Sequence, residues 1–156
     1  MTALSRGGGD ASGAGVVVVA VPGPAISAAL GQVTGLAGKI AIDATSAFPS
    51  RNEAFAWLAE EVKSVTGAPV AKSFNLTFAV LSDQIAAQRV PPGSFYVTED
   101  GARDIAGQFM TDAGYDPVPL GGLDKACAVE DLAWLLVAAV KDGAPVFYRF
   151  AVPGEL

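Results

Sequence analysis

Histidine is absent from the 156 residues. That excludes a Ser-His-Asp triad, a Cys-His pair and any histidine-ligated metal site within this chain. Cysteine occurs once, as Cys127, so neither an internal disulfide nor a cysteine metal cluster is expected. Positive charge is scarce: 10 Lys and Arg stand against 16 Asp and Glu, a net charge of −6. Such a chain does not attract phosphate backbones, and nucleic acid is not an expected partner. Long hydrophobic runs are lacking too. Pro22, Gly23 and Pro24 interrupt the longest one well short of the roughly 18 residues of a membrane span. Arg6 has no apolar stretch behind it, so no signal peptide is expected, and the chain reads as cytoplasmic. With no triad and no metal site of its own, any chemistry is expected to be carried by a bound cofactor.

What the chain has is apolar substance, 51% of its residues, enough for a real core. It is organised around Val16–Val21, Val-Val-Val-Val-Ala-Val. A continuous β-branched run of this length predicts a strand buried on both faces, as in a parallel sheet covered by helices. Pro22 stops it, and Gly23 and Pro24 open the next helix. Ligands of open α/β sheets bind just outside the carboxyl ends of strands, which makes Ala20 to Pro24 a candidate site. The alternative is a core strand followed by a turn.

The rest of the chain repeats the alternation of strand and helix. Residues 1–15 are glycine-rich and read as a flexible leader. Gly7-Gly8-Gly9 has no strand before it and no helix after it, so it does not read as a phosphate loop. Residues 24–34 are predicted helical through Ile26, Leu30 and Val33. Residues 39–43 read as a strand. Ser50 and Glu53 form a capping-box pattern for a helix carrying Phe55, Leu58, Val62 and Val65 and ending at Gly67. Trp57 falls beside that stripe as partial core.

Residues 69–74 begin a third strand. Phe78, Leu81 and Ile85 have helical spacing, weakened by the β-branched Thr77 and Val80. Val90-Pro91-Pro92-Gly93 is a break. Residues 94–98 form a strand and 101–113 a helix with Ile105, Phe109 and Met110 inward. Residues 116–120 form an edge strand, because Pro117 and Pro119 cannot donate to a ladder. Asp124 is expected to cap a last helix with Val129, Leu132, Leu136, Val137 and Val140 on its apolar face. Residues 146–152 read as a strand or an extended tail. The pattern is that of an α/β fold, a partial doubly wound, mostly parallel sheet with flanking helices. Residues 16–156 are expected to form one Rossmann-like domain.

Several segments together resemble the NADP-dependent oxidoreductase family whose founding members use coenzyme F-420, a 5-deazaflavin. They are VVVVAVP at 16–22, GKIAIDAT at 38–45, AKSFN at 71–75, PPGSFYVTED at 91–100 and AGYDPVPLGGLDKA at 113–126. The stretch from Glu130 to Leu136 is similar to the family's last helix. The resemblance implies a Rossmann domain that binds NADP and passes a hydride to or from a second cofactor, F-420 or a flavin, or a small acceptor. It carries cofactor contacts onto Ala20, Val21 and Pro22, onto the strand end at Asp43, Ala44 and Thr45, and onto Lys72, Ser73, Phe74 and Asn75. Ser46 stands where the family has Asn. The larger departure is the family's opening strand with its Gly-x-Gly-x-x-Gly turn, helix and second strand, which these residues do not hold. A non-catalytic, truncated dinucleotide-binding or interaction domain is therefore the alternative function.

Residue by residue, each site has two readings. Asn75 can hydrogen-bond a carboxamide or a ribose, or make an Asx turn after its strand. Asp43 can accept from a ribose hydroxyl or cap the following loop. Lys72 can face a phosphate or be a solvated strand-end charge. Cys127 reads as buried filler. Asp124, Glu130 and Asp131 read as a cap and first-turn acids. The strand at Val16–Val21 carries no charge or proline, and with the opening strands of the family not in these residues it has an unpaired edge. Self-association through that edge, or a partner that covers it, is expected.

Overall fold

The computed structural model describes residues 2–4, 7–48, 50–140 and 142–154. A five-stranded sheet runs in the order β2 (Val16–Val19), β4 (Ile40–Asp43), β5 (Val70–Lys72), β6 (Gly93–Thr98), β7 (Asp116–Pro119). The pairs β2–β4, β4–β5 and β6–β7 are parallel, and β5–β6 is antiparallel. The mostly parallel α/β sheet expected from the sequence is present. The antiparallel step has a local cause. Between β5 and β6 the chain forms only a run of 3-10 turns, Ala79–Ala87. No crossover helix carries it back to the opposite end of the sheet, so β6 starts where β5 ends.

Helices cover both faces. On one, α1 (Ile26–Leu30) and α2 (Leu58–Thr66) bury Ile26, Leu30, Leu58, Ala59 and Val62 against Val19, Ala41 and Val70. On the same side, α4 (Ala126–Ala138) packs Ala126, Val129 and Ala133 on Phe95 and Val97 of β6. Trp57 joins the two clusters as partial core. On the opposite face, α3 (Arg103–Asp112) sets Ala106 and Met110 against Ala71 and Tyr96. Fully burying a Val, Leu, Ile or Met side chain stabilises by about 1.5–3 kcal/mol, and such contacts hold the layers together.

Several elements depart from expectation. The helix predicted over 24–34 is shorter. One 3-10 turn at Gly23–Ala25 leads into α1, and Val33–Thr34 (β3) instead pairs in parallel with Gly9–Asp10 (β1). The leader is thus partly structured: Gly9 N–H donates to Gln32 O at 3.2 Å and Ala11, a core residue, donates to Thr34 O at 2.9 Å. Gly8 makes this possible, because its φ is +80° and a Cβ there would lie 1.9 Å from Gln32 O.

The Ser50–Glu53 pair does not cap a helix. α2 begins only at Leu58; its first amide, Leu58 N, donates to the distant Glu130, and Glu60 of the first turn accepts from Ala56 N just before the helix, both at 2.8 Å. Phe55 precedes the helix and Val65 is exposed, while Leu58 and Val62 are buried as expected; Gly67 closes α2 at φ +62°. Asp124 makes no capping bond; a 3-10 turn at Leu123–Lys125 starts α4. Within α4, Val129 is buried but Val137 is exposed. β7 is an edge strand, as its prolines require. Residues 146–152 are an extended tail rather than a strand, held by Gly93 N donating to Tyr148 O at 2.8 Å and by an Arg149–Asp116 ion pair at 2.8 Å.

Candidate functional site

β2, β4 and β5 run in parallel, so their carboxyl ends open on one side of the sheet. Backbone bonds tie the three exits together. Ala44 N donates to Val19 O at 2.8 Å and Ser73 N to Asp43 O at 3.0 Å, and Ser46 Oγ donates to Asn75 O at 3.2 Å. Gly23 is buried against the same loop, where a Cβ would lie 2.9 Å from both Ser46 O and Ser50 O. The residues named from the sequence therefore converge. Ala20 and Pro22 are exposed, Val21 and Phe74 are half-buried, and Thr45 and Asn75 are buried.

Beneath these exits lies a polar network that the sequence did not reveal. Lys72 is fully buried, not a solvated charge. Its Nζ donates to Asp43 Oδ2 at 2.9 Å and to Thr45 O at 2.6 Å, and lies 3.7 Å from Glu130 Oε1. Asp43 Oδ1 accepts from Thr45 N at 2.8 Å and from Thr45 Oγ1 at 2.6 Å. Asp43 thus caps the loop behind its strand, and both of its oxygens are engaged. Glu130 is likewise not a surface first-turn acid. It is fully buried, accepts from Leu58 N, and lies 3.4 Å from Arg51 NH1. Burial raises its pKa above the ordinary glutamate value, while Lys72 and the Leu58 amide pull it back. Asp131, by contrast, is exposed and meets Arg51 at 3.2 Å. Cys127 is half-buried with its sulfur 3.7 Å from Arg51 NH1, so it borders this ion cluster rather than merely filling core. The signal that could have found Lys72 and Glu130 was their setting, a lysine that ends the apolar strand run Val70-Ala71 and a glutamate beside Val129 on the apolar stripe of α4.

Two further features mark the exits. Asn75 donates through Nδ2 to Val129 O at 3.2 Å, so it ties β5 to α4 instead of forming an Asx turn, and its Oδ1 is buried without a partner among the described residues. Phe74 has φ +62° with its ring edge-on to Tyr115 at 6.2 Å. A bulky residue in the left-handed region costs on the order of 1–3 kcal/mol, and such outliers cluster at functional sites. A cleft of about 360 Å³ lined by Ser82, Ile85, Gln88, Pro91, Asp112 and Gly114 involves none of the six residues named above.

The parallel strands with helices on both faces, and exits that gather at one end, define a Rossmann-like α/β domain. In particular, the chain resembles the F-420-type NADP oxidoreductases. A protein of Arthrobacter sp. FB24 whose proposed role is that of an F-420-dependent NADP-reductase superposes with a TM-score of 0.74 at 25% identity, over 91% of this chain and 71% of that one. A hypothetical protein from Sinorhizobium meliloti superposes with a TM-score of 0.63 at 30% identity, over 74% of this chain and 61% of that one. No protein-family model matches the chain, and no curated protein matches it. No described helix is long and apolar enough to cross a membrane.

Proposed function

We propose that this chain is an NADP-linked oxidoreductase domain that holds the nicotinamide end of NADP(H) at the exits of β2, β4 and β5, for hydride exchange with F-420, a flavin or a small acceptor. The observation that carries this is the unpartnered, buried Oδ1 of Asn75 at the junction of the three exits. A buried amide oxygen without a partner leaves an acceptor for one N–H or O–H donor, and a carboxamide or a ribose hydroxyl supplies one. Ala20 and Pro22 offer small, exposed apolar groups at the exit of β2, with Val21 half-buried between them. Thr45 contributes through its loop rather than its hydroxyl, which is taken up by Asp43 and Lys72. When bound, the nucleotide supplies the hydride; the protein's part is to position and desolvate it.

A second reading, a non-catalytic nucleotide-binding or interaction domain, is favoured by a different observation. The charged groups near the exits, Asp43, Lys72 and Glu130, satisfy one another, and these residues contain no Gly-x-Gly-x-x-Gly turn. The two readings are separated by assaying NADPH oxidation by this chain with F-420 or a flavin as acceptor. Turnover that falls in Asn75→Ala, with circular dichroism unchanged, supports the oxidoreductase. Nucleotide binding without turnover supports the second reading.

A further inference from the structure

β5 and β6 separate early. They pair only through Ala71 with Thr98 and Lys72 with Val97, and β5 then turns away at Ser73. The other half of β6, Gly93 to Tyr96, pairs with β7 and with no part of β5. Pro92 O and Tyr96 O accept from Asp116 N and Leu120 N of the β7 side. Backbone groups alternate along a paired strand, so Gly93 and Phe95 point the other way, into the slot that β5 leaves. One residue fills that slot. Tyr148 O accepts from Gly93 N at 2.8 Å, and the Tyr148 phenol oxygen accepts from Phe95 N at 3.1 Å.

Residues 146–150 are laid on the sheet rather than woven into it. None of their backbone N–H groups donates to a backbone acceptor among the described residues. Arg149 clips the segment in place, its NH1 donating to Pro91 O and to Asp116 Oδ2 at 2.8 Å each. Phe150 stacks on Phe95 with ring centroids 4.9 Å apart and is still 74% exposed. Underneath lies the exit of β5. Val146, Phe147 and Tyr148 close a void of about 10 Å³ against Leu76, Thr77 and Phe78, room for a single water. Tyr148 also packs on the cluster that holds Leu76 and Val129. Leu76 follows Asn75 in the chain, and Val129 O takes the Asn75 Nδ2 hydrogen bond. Asn75 Oδ1 is sealed from solvent here, so a ligand donor reaches it only after a covering group moves. The cover from α4 belongs to a long helix and that from β6 to the main sheet, whereas residues 146–150 belong to neither helix nor ladder. We infer that residues 146–150 are an autoinhibitory strap, which closes the exit of β5 over Asn75 and which NADP(H) displaces on binding. This inference rests on the nucleotide site proposed above.

Hydrogen exchange at the Gly93 and Phe95 amides of the full chain, with and without saturating NADPH, tests this, and tryptic cleavage after Arg149 is read alongside. NADPH should speed exchange at both amides and cleavage at Arg149 by roughly threefold or more, because a ligand that binds only the open form shifts the population toward it. The Ile42 amide in the middle of the sheet should keep its rate and serves as the control for global unfolding. Arg149→Ala unclips the strap and leaves Asn75 in place. It should speed exchange at Gly93 and Phe95 without nucleotide and tighten NADPH binding by roughly threefold or more, since the closed form no longer competes. Gly93→Ala is a second release, because a Cβ there would lie 3.3 Å from Tyr148 O, and it should act in the same direction. NADPH that binds while Gly93 and Phe95 keep their protection, or that binds both variants no more tightly than the wild type, overturns the strap and leaves the nucleotide site standing. NADPH that binds neither the wild type nor Arg149→Ala removes the nucleotide site, and the strap falls with it.

Discussion

Lys72 Nζ lies 2.9 Å from Asp43 Oδ2, and both side chains are wholly removed from solvent. The pair joins the ends of neighbouring parallel strands, and Glu130 reaches it from α4 across the top of the core. One buried cation from β5 is thus shared by two carboxylates, one from β4 and one from α4, elements far apart in sequence. Removing one member of a buried pair leaves the others uncompensated, at a cost of about 3–5 kcal/mol. Lys72→Met, which strands two buried carboxylates, should therefore lower the melting temperature sharply. Chemical denaturation of the variant checks this, and a loss under about 1 kcal/mol would show that the cluster is solvated.

Glu130→Ala should act on α2 as well as on the cluster. It removes the acceptor for Leu58 N, the first amide of α2, and a lost helix cap alone costs roughly 0.5–2 kcal/mol. Glu130→Gln keeps an acceptor there and should retain the helical start. Hydrogen exchange at Leu58 distinguishes the two: rapid exchange in the alanine variant and retained protection in the glutamine variant.

Gly23→Ala should destabilise the chain by about 1–3 kcal/mol, the usual cost of overpacking. The new methyl would press on Ser46 O and Ser50 O, both at 2.9 Å, and on Leu58 at 3.4 Å. Because two of these neighbours are backbone atoms, relief requires the exits of β2 and β4 to separate. Urea denaturation gives the number, and nucleotide affinity should fall in parallel.

Tyr148 supplies a pH dependence. Burial pushes its phenol up from the ordinary 10.0 to about 12, with the Phe95 N–H bond working against the shift. The folded-state value is the higher one, so its contribution is fully present below about pH 10 and is lost as pH rises toward 12, by roughly 2 kcal/mol. Tyr148→Phe should flatten the alkaline fall of stability. It should also cost about 1 kcal/mol at neutral pH, because Phe95 N loses the acceptor it meets at 3.1 Å. Thermal melts from pH 8 to 12 report both.

The strands were legible in the sequence because each is short, apolar and closed by a turn residue. Val16–Val19, Ile40–Asp43, Gly93–Thr98 and the proline-marked edge strand Asp116–Pro119 all fall where periodicity places them. Helix starts were not legible. Ser50 and Glu53 have the spacing of a capping box, but Arg51 is drawn to Glu130 and Asp131, and the segment turns there instead of winding. The α2 start is set by Glu130, 72 residues away, a partner that no local pattern contains. The candidate site was legible as positions, since strand exits follow from strand ends. Its electrostatics were not. Whether a strand-end lysine points to water or inward depends on which carboxylates other elements bring to it, and Asp43 and Glu130 come from two of them.

The exits of β2, β4 and β5 are proposed as the nucleotide site, and an NMR titration of this chain with NADPH tests this most directly. Weak, saturable binding is expected, with a dissociation constant well above micromolar. A Gly-x-Gly-x-x-Gly turn would add several charge-assisted hydrogen bonds of about 1.5–3 kcal/mol each, and these residues contain none. Shift changes should gather at Ala20, Val21, Thr45, Phe74 and Asn75, and Asn75→Ala should weaken them. Changes that instead gather around Ser82, Gln88 and Asp112, or micromolar binding that Asn75→Ala leaves unaltered, would contradict it.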